Sequence, residues 1–176
     1  MKIIKLFSVL SISILLLFGC SSKSADNIFN EATSLIQQKK YNEALNKFKT
    51  VVEQFPSSPK TADAMFEIAK LYQGKVVKNI GEKESLVEAV KYYKKVYDNF
   101  PNSKIAPKSL FMAGFIEANE LNDYDSAKKT YNTYLEKYPK DELVKDAKVE
   151  LQNLGKSPEE ILKERLQESK KWPVRK

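Results

Sequence analysis

Apolar residues return along the chain at helical spacing, and one skeleton of small, aromatic and proline positions occurs three times. Within Lys40 to Pro56, KYNEALNKFKTVVEQFP, the marked positions are Ala44, Phe48, Val51 and Pro56. They recur as Ala89, Tyr93, Val96 and Pro101, then as Ala127, Tyr131, Tyr134 and Pro139, always at offsets of +4, +7 and +12 from the alanine. The first three positions share one helical face, and the proline stands past the helix end because it cannot continue the hydrogen-bond ladder. Each copy is expected to be an amphipathic helix that meets a neighbour closely at its alanine.

A partner precedes each copy. Ile28, Ala32 and Leu35 stand before the first, Met65, Ile68, Ala69 and Tyr72 before the second, and Leu110, Ala113 and Gly114 before the third. These spacings mark a second amphipathic helix with a crowded, small-residue contact, so the unit is an antiparallel helical hairpin. Small residue, aromatic, alanine, aromatic and closing proline in this order resembles the tetratricopeptide (TPR) repeat, whose period is about 34 residues. The resemblance implies an all-α fold, a right-handed TPR solenoid of three helical hairpins (28–56, 57–101 and 102–139) plus C-terminal helices.

The proline periods of 45 and 38 residues exceed the usual repeat. About three extra residues follow Pro56 and Pro101 relative to the standard period. They are expected to lengthen the first helices, with Ser58-Pro59 and Ser103 as N-caps. The remaining excess is Gly74 to Ser85, GKVVKNIGEKES, a lengthened turn inside the second hairpin. After Pro139 a terminal capping helix is expected from about Asp141 to Leu154, within 140–155, with Leu143, Ala147, Leu151 and Leu154 on one face and Gly155 at its end. Ser157-Pro158-Glu159-Glu160 is a capping box that opens a last helix carrying Ile161, Leu162 and Leu166, followed by a basic tail, within 156–176.

The N-terminus has a different character. Lys2 and Lys5 precede a thirteen-residue apolar run from Leu6 to Phe18 interrupted only by serines, which reads as an export signal over 1–19. Leu17-Phe18-Gly19-Cys20 resembles the lipobox of bacterial lipoproteins, which implies a diacylglycerol on Cys20 and a polar tether over 20–27. Cys20 is the single cysteine, so no intrachain disulfide can form. A buried thiol, or a signal cleaved elsewhere to release a soluble protein, are the competing readings. By the family rule, Ser21 after the cysteine points to the outer membrane rather than the inner one. In a source without an outer membrane the anchor would sit in the cell membrane.

Composition narrows the chemistry. With no histidine, no glycine-rich phosphate loop and no metal-ligand spacing, neither a catalytic centre nor a metal or cofactor site is visible, and no small-molecule substrate is implied. Most carboxylates stand on outward faces or beside lysines, as Glu159 does with Lys163, and read as a solvated surface. The formal charge of +7 falls to +5 once Lys2 and Lys5 leave with the signal. Its charges alternate in sign along the helices, unlike the one-sided patches that bind nucleic acid. Weak attraction to anionic lipid or acidic envelope polymers suits it better, chiefly at the Lys170, Lys171, Arg175, Lys176 tail.

In TPR arrays the first helices line the concave surface, and ligand-contacting positions include the fifth of each repeat. The matching residues are Phe29, Phe66 and Phe111, with Phe115 one turn beyond. The resemblance implies an apolar strip suited to an extended peptide or a partner helix; the alternative is that these rings complete the packing between hairpins. From Asp26 to Leu154, the phrases YNEA…F…FPSSP and YDSAK…Y…YPKD resemble BamD, the lipoprotein family of the β-barrel assembly machine, and the TPR part of the Tol-Pal-associated coordinator. That likeness implies a non-enzymatic scaffold, lipid-anchored on the periplasmic face of the outer membrane. Its protein partners would include a barrel-assembly subunit or, alternatively, a cell-wall coordination complex. Members of the BamD family typically carry five repeats, and three are visible here.

Overall fold

The computed structural model describes residues 24–171, with side chains to residue 167. The described residues form eight α-helices and no strand: α1 (Ala25–Gln37), α2 (Tyr41–Gln54), α3 (Lys60–Gln73), α4 (Glu82–Asn99), α5 (Ala106–Asn119), α6 (Tyr124–Lys137), α7 (Val144–Asn153) and α8 (Pro158–Lys171). Successive helices from α1 to α7 pack each on the next, and α1 also touches α3. A stack of successive helical neighbours, rather than a bundle around one centre, is a TPR-like solenoid.

The small residues explain the closeness of the pairs. Ala32, Ala44, Ala69, Ala89, Ala113 and Ala127 are all 0% exposed, and each second helix sets Phe48, Tyr93 or Tyr131, at most 1% exposed, against the first helix of its own hairpin. A methyl on one helix leaves room for a ring from the other, and each buried ring contributes roughly 1.5–3 kcal/mol of transfer free energy. The fit is tightest in the third hairpin. There a Cβ built on Gly114 would lie 3.0–3.1 Å from three ring atoms of Tyr131.

The turns between repeats are one structure used three times. The residues before the prolines, Phe55, Phe100 and Tyr138, leave the helix with φ between −126° and −137° and ψ between 51° and 54°. A residue that precedes proline is driven out of the helical region, which accounts for this stop. In each turn a backbone N–H (Ser58, Ser103, Asp141) returns to the carbonyl of that aromatic at 2.9–3.1 Å. The carbonyls of Ser58, Ser103 and Asp141 in turn accept from the N–H groups of Thr61, Ala106 and Val144 at 3.0–3.3 Å.

These turns, and not lengthened helices, hold the extra residues that follow each proline. Both α3 and α5 have 14 residues, as α2 and α6 do. Ser58 Oγ accepts from Lys60 N–H at 3.2 Å, but Ser103 caps nothing, and its Oγ is buried without a partner. Both serines stand two residues past their proline, inside the turn, where their backbone N–H and C=O groups are used to close it, and the Ser103 hydroxyl finds no partner there. For the same reason α7 starts at Val144 rather than near Asp141, whose carboxylate accepts from Leu143 N–H at 3.1 Å.

The long connection in the second hairpin divides between turn and helix. Residues 74–81 form the turn, while α4 begins seven residues before Ala89, against three residues from Tyr41 to Ala44 and from Tyr124 to Ala127. The added turn of helix is anchored by Ser85, whose buried hydroxyl donates to Tyr72 O at 2.7 Å. At the far end the capping box forms as its sequence dictates: Glu160 accepts from Ser157 N–H at 2.7 Å and Ser157 Oγ from Glu160 N–H at 3.3 Å. Gly155 supplies the left-handed residue, φ 75°, that ends α7.

Candidate functional site

The first helices place the phenylalanine row by repetition. Phe29 lies 5.2 Å from Phe48 at 63°, Phe66 lies 5.3 Å from Tyr93 at 63°, and Phe111 lies 5.6 Å from Tyr131 at 62°. Three edge-to-face contacts of one geometry mean that each ring seals its own hairpin before it can offer anything outside. Phe66 is 7% exposed and belongs to the core, whereas Phe29, Phe111 and Phe115 keep part of their surface open.

Lysines flank this row. Lys60 Nζ, at the start of α3, sits 5.0 Å from the Phe29 ring centre, and Lys108 Nζ on α5 sits 5.8 Å from that of Phe66, joined there by Lys70 at 5.9 Å. Lys60 and Lys108 thus each reach back over the phenylalanine of the preceding repeat. The face is aromatic edges roofed by ammonium groups. Two of those cations have carboxylates on their own helix, Lys60 with Asp63 at 3.4 Å and Lys70 with Glu67 at 2.9 Å. Lys108 enters no ion pair among the described residues.

One carboxylate departs from the expectation of a solvated charge. Glu117 is 4% exposed and accepts from Lys94 Nζ at 2.5 Å and Thr130 Oγ1 at 2.6 Å, which ties α5 to α4 and α6. Helical spacing alone could not find it, because its partners lie 23 and 13 residues away. Its lone pairs are taken up in joining helices. No group of acidic, cysteine or histidine residues able to hold a metal occurs among the described residues, and no described helix is long and apolar enough to cross a membrane.

Exposed large apolar side chains lie away from the phenylalanine row: Val87 on α4, Tyr124 on α6, Val149 on α7, and Leu162 and Leu166 on α8. Cys20, the signal and the residues after Lys171 lie outside the described residues.

A family model of outer membrane lipoproteins, YfiO, matches residues 21–154, which are α1 to α7 with the tether before them. The chain belongs to the YfiO family of outer membrane lipoproteins. The match agrees with the BamD-like resemblance carried by the repeat phrases and supports a place in the cell envelope. It ends at Leu154, so α8 lies beyond the portion that YfiO describes. No curated protein matches the sequence.

Proposed function

We propose that this YfiO-family protein is a non-enzymatic scaffold, tethered through acyl chains on Cys20 to the periplasmic face of the outer membrane. It docks a protein partner along the first-helix face during the assembly of β-barrel proteins. Family membership over α1 to α7 carries the reading. The open edges of Phe29, Phe111 and Phe115 beside Lys60 and Lys108 support it, because they suit an extended peptide or helix with apolar and acidic side chains. No bond changes in this mechanism: stacked hairpins hold the edges at fixed spacing, so little of the binding free energy is lost in ordering them.

Phe115 is the residue to test, since among the described residues no ring contact involves it and it is partly open. Phe115→Asp should reduce recovery of the barrel-inserting subunit from solubilised envelopes at least about fivefold while the helical signal and melting temperature hold. Full recovery by a folded variant removes the face from the interaction. Recovery of a Tol-Pal or wall-synthesis protein in its place transfers the scaffold to that complex. Cys20→Ala should release the protein from membranes; persistent retention overturns the anchor.

A further inference from the structure

The lengthened turn of the second hairpin is a built feature that meets the first hairpin. Lys78 N–H donates to Asn42 Oδ1 at 3.0 Å, and Val76, Val77 and Ile80 pack on the core. Between the two lies a cleft of about 330 Å³ lined by Lys39, Lys40, Lys78, Tyr41 and Val76, with Glu43 its one carboxylate. Lys75, in the same turn, is answered by Glu82 at 3.8 Å and Glu120 at 3.7 Å. The three lysines of the cleft enter no ion pair among the described residues. Lys39 is also held at φ 59°, where a side chain other than glycine or asparagine costs energy. Three ammonium groups against one carboxylate concentrate positive potential in a concave place, the arrangement that raises the local concentration of anions.

We propose that this cleft binds the anionic groups, phosphodiester or carboxylate, of an envelope polymer. The position of the cleft favours a polymer over the bilayer, a choice that rests on the Cys20 anchor proposed above. Ser24, at the start of α1, is four residues from Cys20, a reach of at most about 14 Å. The cleft lies at the opposite end of α1, whose 13 residues span about 20 Å. The cleft thus stands about 20 Å along the first hairpin from the tethered end, on the side that the tether does not hold to the bilayer.

The test uses the full-length lipoprotein reconstituted in neutral phosphatidylcholine nanodiscs at about 50 mM salt, where screening is moderate. The probes are short-chain inorganic polyphosphate, polygalacturonate and phosphatidylglycerol vesicles. The triple variant K39Q/K40Q/K78Q should lose about tenfold or more in affinity for the two polymers, while the equally charged control K128Q/K129Q/K145Q stays within about twofold of the parent. Equal losses in both triples overturn the site, because net charge alone would then explain binding. No polymer binding by the parent overturns it as well. Vesicle binding stronger than polymer binding, and lost in the cleft triple, makes the membrane the ligand. A membrane-retained Cys20→Ala protein would refute the anchor alone, since the polymer comparison is read independently of it.

Discussion

Replacing Gly114 by alanine puts a number on the contact that closes the third hairpin. In an ordinary helix interior Gly→Ala is stabilising by about 1 kcal/mol, because it removes backbone entropy from the unfolded chain. Here the new methyl would stand 3.0–3.1 Å from Cδ1, Cε1 and Cζ of Tyr131. That ring cannot retreat: it is 0% exposed and backed by Phe111 at a ring separation of 5.6 Å. Overpacking of this kind costs about 1–3 kcal/mol. The balance is a net loss of about 0–2 kcal/mol, centred near 1 kcal/mol, or about 2–4 °C in Tm. Urea titration of G114A, Y131A and the double variant separates the two effects. In the Y131A background the ring is gone, so G114A should become stabilising by about 1 kcal/mol, a coupling of about 1–3 kcal/mol. G81A is the steric control, since nothing lies within 4 Å of its built Cβ; the preference for glycine over alanine at this N-cap of α4 opposes the entropy gain, so it should shift stability by only a few tenths of a kcal/mol. If G114A stabilises the parent by the full helix-propensity gain and shows no coupling to Tyr131, the close small-to-ring fit does not hold this repeat together.

The hydroxyls of the buried tyrosines should behave differently. Tyr131 O–H is buried without a partner, so Y131F should be neutral or raise stability by about 1 kcal/mol, whereas Tyr134 O–H donates to the Asp141 carboxylate and Y134F should cost about 1–2 kcal/mol in the same urea titration. Lys94→Ala, which leaves the buried Glu117 carboxylate with Thr130 alone, should cost about 1–3 kcal/mol, and adding Glu117→Gln should recover part of that loss in a thermal melt. Burial pushes the ionisation of Tyr93, Tyr131 and Tyr134 upward, with neighbouring carboxylates adding to it. The folded state thus keeps these protons when the unfolded chain, with tyrosines near pH 10, gives them up. Their contribution is complete below about pH 10 and declines as pH rises beyond it, by up to about 1.4 kcal/mol per pH unit for each ring. Urea midpoints across that range that stay flat, or that fall equally in the triple Phe variant, contradict this assignment.

The fold was legible because it is written in local spacing that repeats. An alanine, a ring four residues on and a proline twelve on specify a helix, its contact face and its stop without long-range information, and the proline also fixes the residue before it. Ser157 with Glu160 is equally local, and its reciprocal hydrogen bonds form as the four-residue phrase requires. Cap placement was less legible: a serine after a proline looks like an N-cap whether the backbone continues as helix or turn, and at Ser103 the turn prevailed. The candidate site divides along the same line. A phenylalanine at the fifth position of each repeat is visible in sequence, but the ring from the second helix that absorbs Phe66 depends on the crossing of two helices. Glu117 with Lys94, and Lys78 with Lys39 and Lys40, are meetings of residues far apart in the chain. Only tertiary packing could decide them, because burial and charge density are properties of what surrounds a side chain, and stacking one hairpin on the next is what supplies the surroundings.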